Sequence, residues 1–149
     1  MSNQAQQPKR PQSQVKLYDS RAIVVATILG SLAAGVYMLF ANYRQLGYAK
    51  LALRVAIAGW FVYLLLIIVA SLLPPNSPGL ALGFYALQTA IAYGASQTLQ
   101  GKAFAYHAQH QGEFHSLWLA VGVAVVAGVV LLLVTLANVE LLRAFGFSD

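Results

Sequence analysis

The chain has 149 residues, of which 59% are hydrophobic and 9% charged, and its net charge is +5. Soluble domains carry about 25% charged residues, so a water-soluble fold of this size is excluded. The absence of cysteine excludes disulfides, thiolate metal sites and cysteine nucleophiles. Basic residues are scattered around apolar stretches without a basic, aromatic-interleaved face, which excludes nucleic acid as a partner.

Residues 1–19 are rich in Gln, Pro and Ser and poor in apolar side chains, so a disordered polar tail is predicted. Asp19 or Ser20 then supplies an N-cap. Four stretches free of Asp, Glu, Lys and Arg follow: 22–41, 55–73, 79–99 and 116–139. Each approaches or exceeds the roughly 20 residues that cross a bilayer core. The predicted spans are therefore about 22–41, 52–73, 79–100 and 116–139. The first is too long for a signal-peptide apolar region and is read as a retained helix.

Residues 42–53 continue helically past the membrane surface and turn near Gly47. Pro74-Pro75 ends the second span, and Asn76 and Ser77 leave only a tight turn before Pro78-Gly79. The third span runs into a polar connection, 101–115. Asn138, Glu140 and Arg143 mark the exit of the fourth. The predicted fold is an all-α membrane protein with four transmembrane helices arranged as two antiparallel hairpins, forming one domain over 20–149. Four crossings put both termini on one face. That face then holds Lys9, Arg10, Lys16, Arg21 and Arg143, against Arg44, Lys50, Arg54 and Lys102 opposite, so the charge bias leaves orientation undetermined.

Small residues four apart let helices approach closely: Gly30 with Ala34, Ser31 with Gly35, Gly79 with Gly83, Ala86 with Ala90, Ala90 with Gly94, and Ala124 with Gly128. They imply packing within the bundle or a homo-oligomer interface. The third span also carries a polar stripe: Tyr85, Gln88, Thr89, Ala92, Tyr93, Ser96, Gln97 and Gln100 share one helical face. Glutamine amides facing lipid would stay unpaired, so this face must meet protein or water. Thr27, Ser31, Met38, Asn42 and Gln45 of the first span are its expected partners. Tyr85, Gln88, Thr89, Tyr93, Ser96, Gln97 and Gln100, with Ser31 and Asn42, are also the residues that could line a cavity. No Asp, Glu or His lies within a span, which argues against an ion-coupled relay.

All three histidines, His107, His110 and His115, lie in the 101–115 connection with Glu113. If its first part is helical, His107 and His110 share a face, and a turn at Gly112 could return Glu113 or His115 toward them. Such a set has the donor chemistry of a divalent-metal site. The plainer reading is a set of interfacial polar groups, and no metal or cofactor is predicted.

Asn42-Tyr43-Arg44-Gln45-Leu46 follows the first span, and Gln100-Gly101-Lys102, His107, Gly112, Ser116 and Trp118 join the third to the fourth. These segments resemble an uncharacterised family of small bacterial four-span membrane proteins, with N-[FY]-[KR]-x-L after span one and Q-G-K…H…G…S-x-W between spans three and four. The chain departs from that pattern in its longer basic tail and in having a single glycine, Gly112, where the family has a pair. The resemblance implies a multi-pass protein of the bacterial cytoplasmic membrane. It also implies that Asn42, Arg44, Gln100, Lys102, His107 and Trp118 form one feature on one side, with Arg44, Lys102 and Trp118 as loop residues. It implies no activity.

The functional expectation is a non-enzymatic subunit or accessory protein whose partners are the lipid bilayer and a second copy or another membrane protein. The alternatives are a small-solute transporter or channel lined by the polar face of span three, and a metal-dependent membrane enzyme using the histidine connection.

Overall fold

A computed structural model describes residues 15–72, 74 and 77–145, apart from the side chains of Val139 and Leu142. Four helices occur in order: α1 (Ser20–Gln45), α2 (Ala49–Ser71), α3 (Pro78–Gln109) and α4 (Leu117–Ala144). There are no strands among the described residues, and one parallel bridge pairs Leu17 with Phe114. Three helices are long and apolar enough to cross a membrane: α1, α2 and residues 117–138 of α4. The polar stripe keeps α3 off that set.

α1 does not run straight. Ser31 has φ 73° and ψ 173°, a region that a residue with a Cβ rarely occupies, and it divides the helix into arms 20–30 and 32–45. A straight helix would hold residues 18 and 42 about 36 Å apart. Instead the Tyr18 backbone N–H donates to Asn42 Oδ1 at 2.8 Å. A methyl group added at Gly35 would collide with Thr27 Oγ1. Residues 27 and 35 are equidistant from 31, so the two arms pack antiparallel as a helical hairpin with its tip at Gly30–Ser31. The pairing of Gly30 with Ala34 and Ser31 with Gly35 along one straight helix is thereby corrected. Gly30 instead lies against the Ala124 backbone of α4, too close for any side chain.

This hairpin is the hub on which α2, α3 and α4 each pack. In the most apolar stretch of α1, 56% of residues are buried, against 11% in α2 and in α4. Doubling back makes α1 alone thick enough to fill the centre. α3 and α4 each pack on α1 and barely touch one another. A methyl group added at Gly79, Gly83, Gly94 or Gly128 would meet nothing within 4 Å, so the close contacts expected at these glycines are not made.

Local signals explain the ends. Asp19 caps α1, accepting from Ala22 N at 2.8 Å. Gly47, with φ 83°, turns the chain between α1 and α2, as its position predicts. Pro78 opens α3, and Ser116 caps α4 through Leu119 N. Leu73, Pro75 and Asn76 of the expected proline turn lie outside the described residues, as do residues 1–14 of the tail. Residues 15–19 of the expected tail are packed: Val15 and Leu17 are buried beside Leu46 and Phe114, and Tyr18 joins the main core, so apolar burial holds this segment down.

Candidate functional site

The polar stripe of α3 splits lengthwise. Gln88, Ala92, Ser96 and Gln100 recur every four residues and are buried. Tyr85, Tyr93 and Gln97 recur beside them and are exposed, with Thr89 half-buried. The first row meets α1; of the second, Gln97 alone bonds to α1, through Ser20.

The buried row makes three connections. Gln88 Oε1 accepts from Leu32 N at 3.0 Å, capping the second arm of α1 at the hairpin tip. Ser96 Oγ contacts Ser20 Oγ at 3.2 Å, at the start of the first arm. Gln100 Nε2 donates to Leu39 O at 2.9 Å, and Gln100 Oε1 accepts from Asn42 Nδ2 at 2.8 Å. Asn42 Nδ2 also donates to Tyr18 O at 2.8 Å. One fully buried asparagine thus ties the N-terminal segment, the second arm and α3 together. Of the partners expected on span one, Thr27 bonds Ile23 O of its own arm instead, and Gln45 is exposed. Fold-back turned them away from one common face.

The exposed row borders a groove of ≈ 1060 Å³ between α3 and the first arm. Gln97 Nε2 donates to Ser20 Oγ at 3.0 Å, and Thr89 Oγ1 to Tyr85 O at 2.9 Å. The Tyr85 and Tyr93 hydroxyls have no partner among the described residues. A second cavity, ≈ 730 Å³, lies beyond the hairpin tip between the end of α2 and the start of α3, and Ser31 and Gln88 reach into it.

The connection after α3 is helical to Gln109, and the histidines diverge from there. His107 is fully buried. Its Nε2 lies 2.9 Å from Glu113 O. A carbonyl only accepts, so Nε2 carries the proton, and Nδ1 is an enclosed acceptor without a donor. Gly112 closes over the ring so tightly that any side chain there would strike it. His110 stacks on Tyr106 at 3.9 Å, and the His115 ring lies tilted against Tyr18 at 4.4 Å. Among the described residues no three His, Cys, Asp or Glu side chains gather where they could hold a metal. The set His107, His110, Glu113 and His115 is therefore not brought together. The helical geometry of α3 aims His107 inward and His110 outward.

Leu17 N donates to Glu113 O at 3.3 Å and His115 N to Leu17 O at 2.8 Å, binding the N-terminal segment to this connection. Lys16 Nζ lies 2.6 Å from Glu113 Oε2. The hydrogen bond and charge of Lys16 hold the Glu113 carboxyl below its usual range. Burial, then the Lys16 charge, lowers the His115 imidazole. Both groups favour the folded connection at higher pH.

Of the six residues grouped by family resemblance, Asn42 and Gln100 touch directly. Trp118 is 84% exposed, Lys102 is exposed, and the Arg44 guanidinium sits 5.8 Å from the Phe40 ring centre. Sequence reasoning missed Tyr18 and Leu39, whose backbone groups complete the buried network, because backbone partners leave no residue-type signal. It also missed the break at Ser31; Gly30-Ser31 followed by Gly35 was the available hint. No family model, curated protein or solved structure matches the chain.

Proposed function

We propose that this chain is a multi-pass membrane protein with three crossings and one re-entrant hairpin, acting as a non-enzymatic subunit. Several contacts support the arrangement. The end of α1, the start of α2 and the start of α4 lie at one face, since Tyr18 bonds Asn42 while Leu17 bonds His115. Two apolar helices, α2 and α4, leave that face in the same direction. α3 links the far end of α2 to the near end of α4, so it crosses in between, shielded on its polar side by α1. The arms of α1 enter and return on the near face, in place of the full crossing expected for span one.

Charge supports the same arrangement. Lys16, Arg21, Arg44, Lys50, Arg54 and Lys102 fall at or near the near face and Arg143 at the far one. Such a bias marks the near face as cytoplasmic, with the C-terminus opposite. The cytoplasmic membrane of a bacterium, implied by the family resemblance, belongs to this reading.

The subunit role rests on one observation: the exposed Tyr85 and Tyr93 hydroxyls, without a partner among the described residues, on a helix that this arrangement carries through the membrane. Lipid offers these groups no hydrogen bonds. A partner helix, from a second copy or another membrane protein, would cover them. The test is photo-crosslinking in the native membrane from position 93, with position 65 on the outer face of α2 as reference. The expected result is a discrete adduct from 93 only. Equal yields at both positions, with a monomer recovered in mild detergent, would sink the reading.

A second reading, a small-solute pathway, is favoured by the cavity that ends on the hairpin tip at Ser31. Interrupted helices at membrane depth are where transporters build their sites.

A further inference from the structure

We infer that the cavity beyond the hairpin tip is a hydrated vestibule, open to the far face, that takes a small uncharged solute through a hydrogen-bond acceptor. It deepens the solute-pathway reading and rests on the three-crossing arrangement. Its walls are Tyr63 and Ile67 of α2 and Phe84 and Tyr85 of α3. From Ser77 at the rim to Gln88 at the floor, α3 descends about 16 Å. The lining contains no Asp, Glu, Lys, Arg or His.

The floor gives the site its chemistry. Gln88 is 4% exposed. Its Oε1 is held by Leu32 N, while its Nε2 makes no hydrogen bond among the described residues. Nor is that nitrogen sealed: the one fully enclosed, unpartnered side-chain nitrogen or oxygen among the described residues is His107 Nδ1. Gln88 Nε2 therefore opens onto the cavity. Beside it, Ser31 Oγ accepts from Ala33 N at 3.3 Å, so its hydroxyl proton is free to donate. Non-helical backbone at membrane depth persists where it lines a wet cavity or is buried in protein. Two donors and aromatic walls select a solute with a carbonyl or hydroxyl oxygen and a short apolar body. A cation meets donors, and an anion finds no compensating positive charge.

The natural chain has no cysteine, so single-cysteine variants of the full protein in proteoliposomes give a clean test. Ala81→Cys lies in the vestibule lining; Leu65→Cys, on the outer face of α2, is the lipid-facing reference. Uncharged methyl methanethiosulfonate should modify Ala81→Cys about tenfold or more faster than Leu65→Cys, because the reacting thiolate needs water. The cationic trimethylammonium-ethyl reagent should react with Ala81→Cys about tenfold more slowly than the uncharged one, because the lining offers a cation hydrogen-bond donors and no carboxylate. Acetamide should protect Ala81→Cys from the uncharged reagent. Adding Gln88→Glu, which keeps an oxygen for Leu32 N but removes the donor, should abolish that protection and speed the cationic reagent. Equal rates at positions 81 and 65, equal rates for the two reagents, or no acetamide protection would each overturn the vestibule. Reporter cysteines His115→Cys and Phe145→Cys, labelled by the cationic reagent, should react from opposite sides. Labelling from one side would overturn the three-crossing arrangement and the vestibule with it. Opposite-side labelling with an unreactive Ala81→Cys would overturn the vestibule alone.

Discussion

The two rows of α3 have similar composition and opposite fates. Gln88, Ser96 and Gln100 are buried and bonded to α1; Tyr85, Tyr93 and Gln97 border open grooves. The tyrosines fall in the exposed row, but residue type does not separate Gln88 and Gln100 from Gln97. A rotation of roughly one residue about the helix axis, about 100°, decides which amides join the interior. Polarity on a helix of so apolar a chain thus marks a need for cover, and tertiary packing decides whether the chain itself supplies it.

The sharpest break of this comparison is Asn42→Ala. It strands Tyr18 N, Tyr18 O and Gln100 Oε1 in a buried setting. We expect a loss of about 2–4 kcal/mol, from the usual cost of unpaired buried groups, measured by unfolding in detergent. A change below experimental error would mean water replaces the amide. Gly30→Ala should come next, at about 1–3 kcal/mol, because its methyl group drives into the α4 backbone. A neutral outcome there would show that the hairpin tip is not seated on Ala124.

Gln88→Leu removes the cap on the second arm and should cost about 1 kcal/mol. Hydrogen exchange at Leu32 should rise with it, and unchanged protection would refute the capping role. On the exposed row, Tyr93→Phe should stay within about 0.5 kcal/mol of the parent in monomer unfolding. Its effect should fall on crosslinking to a partner. A large stability loss would place the Tyr93 hydroxyl in the sealed network after all.

The smallest effect concerns the connection near His115. Its folded pKa and that of Glu113 are both lowered from ordinary values of 6.5 and 4.5. The unfolded chain therefore binds these protons more readily. Stability from His115 is complete above about 6.5 and fades below it; that from Glu113 fades below about 4.5. The protection factor of the His115 amide, whose N–H is bonded to Leu17 O, should fall on acidification from neutral pH once the intrinsic pH dependence of exchange is divided out. A protection factor that rises on acidification would reverse the sign. Lys16 and Glu113 are both largely exposed, so solvent screens their pairing and salt should weaken it further.

Much of this was legible in the residues. The four helices lie close to their predicted spans, because charge-free runs bounded by Asp19, Gly47, Pro78 and Ser116 carry their own start and stop signals. Asn42 and Gln100 were legible as polar residues needing partners. Their meeting was not, since it depends on α1 turning back on itself. The histidines show the reverse error: nearness in sequence suggested one cluster, yet helical direction sends His107 inward and His110 outward.

Composition alone determined the solvent, which follows from summed burial costs that need no geometry, and the lack of cysteine removed thiol chemistry; the four charge-free runs determined the helical class. Tertiary structure decided that α1 doubles back, which groups are sealed, and where a cavity opens. The reason lies at Ser31. Two torsion angles at one residue reverse the direction of α1, and hydropathy, which counts apolar residues, is blind to the direction in which they run.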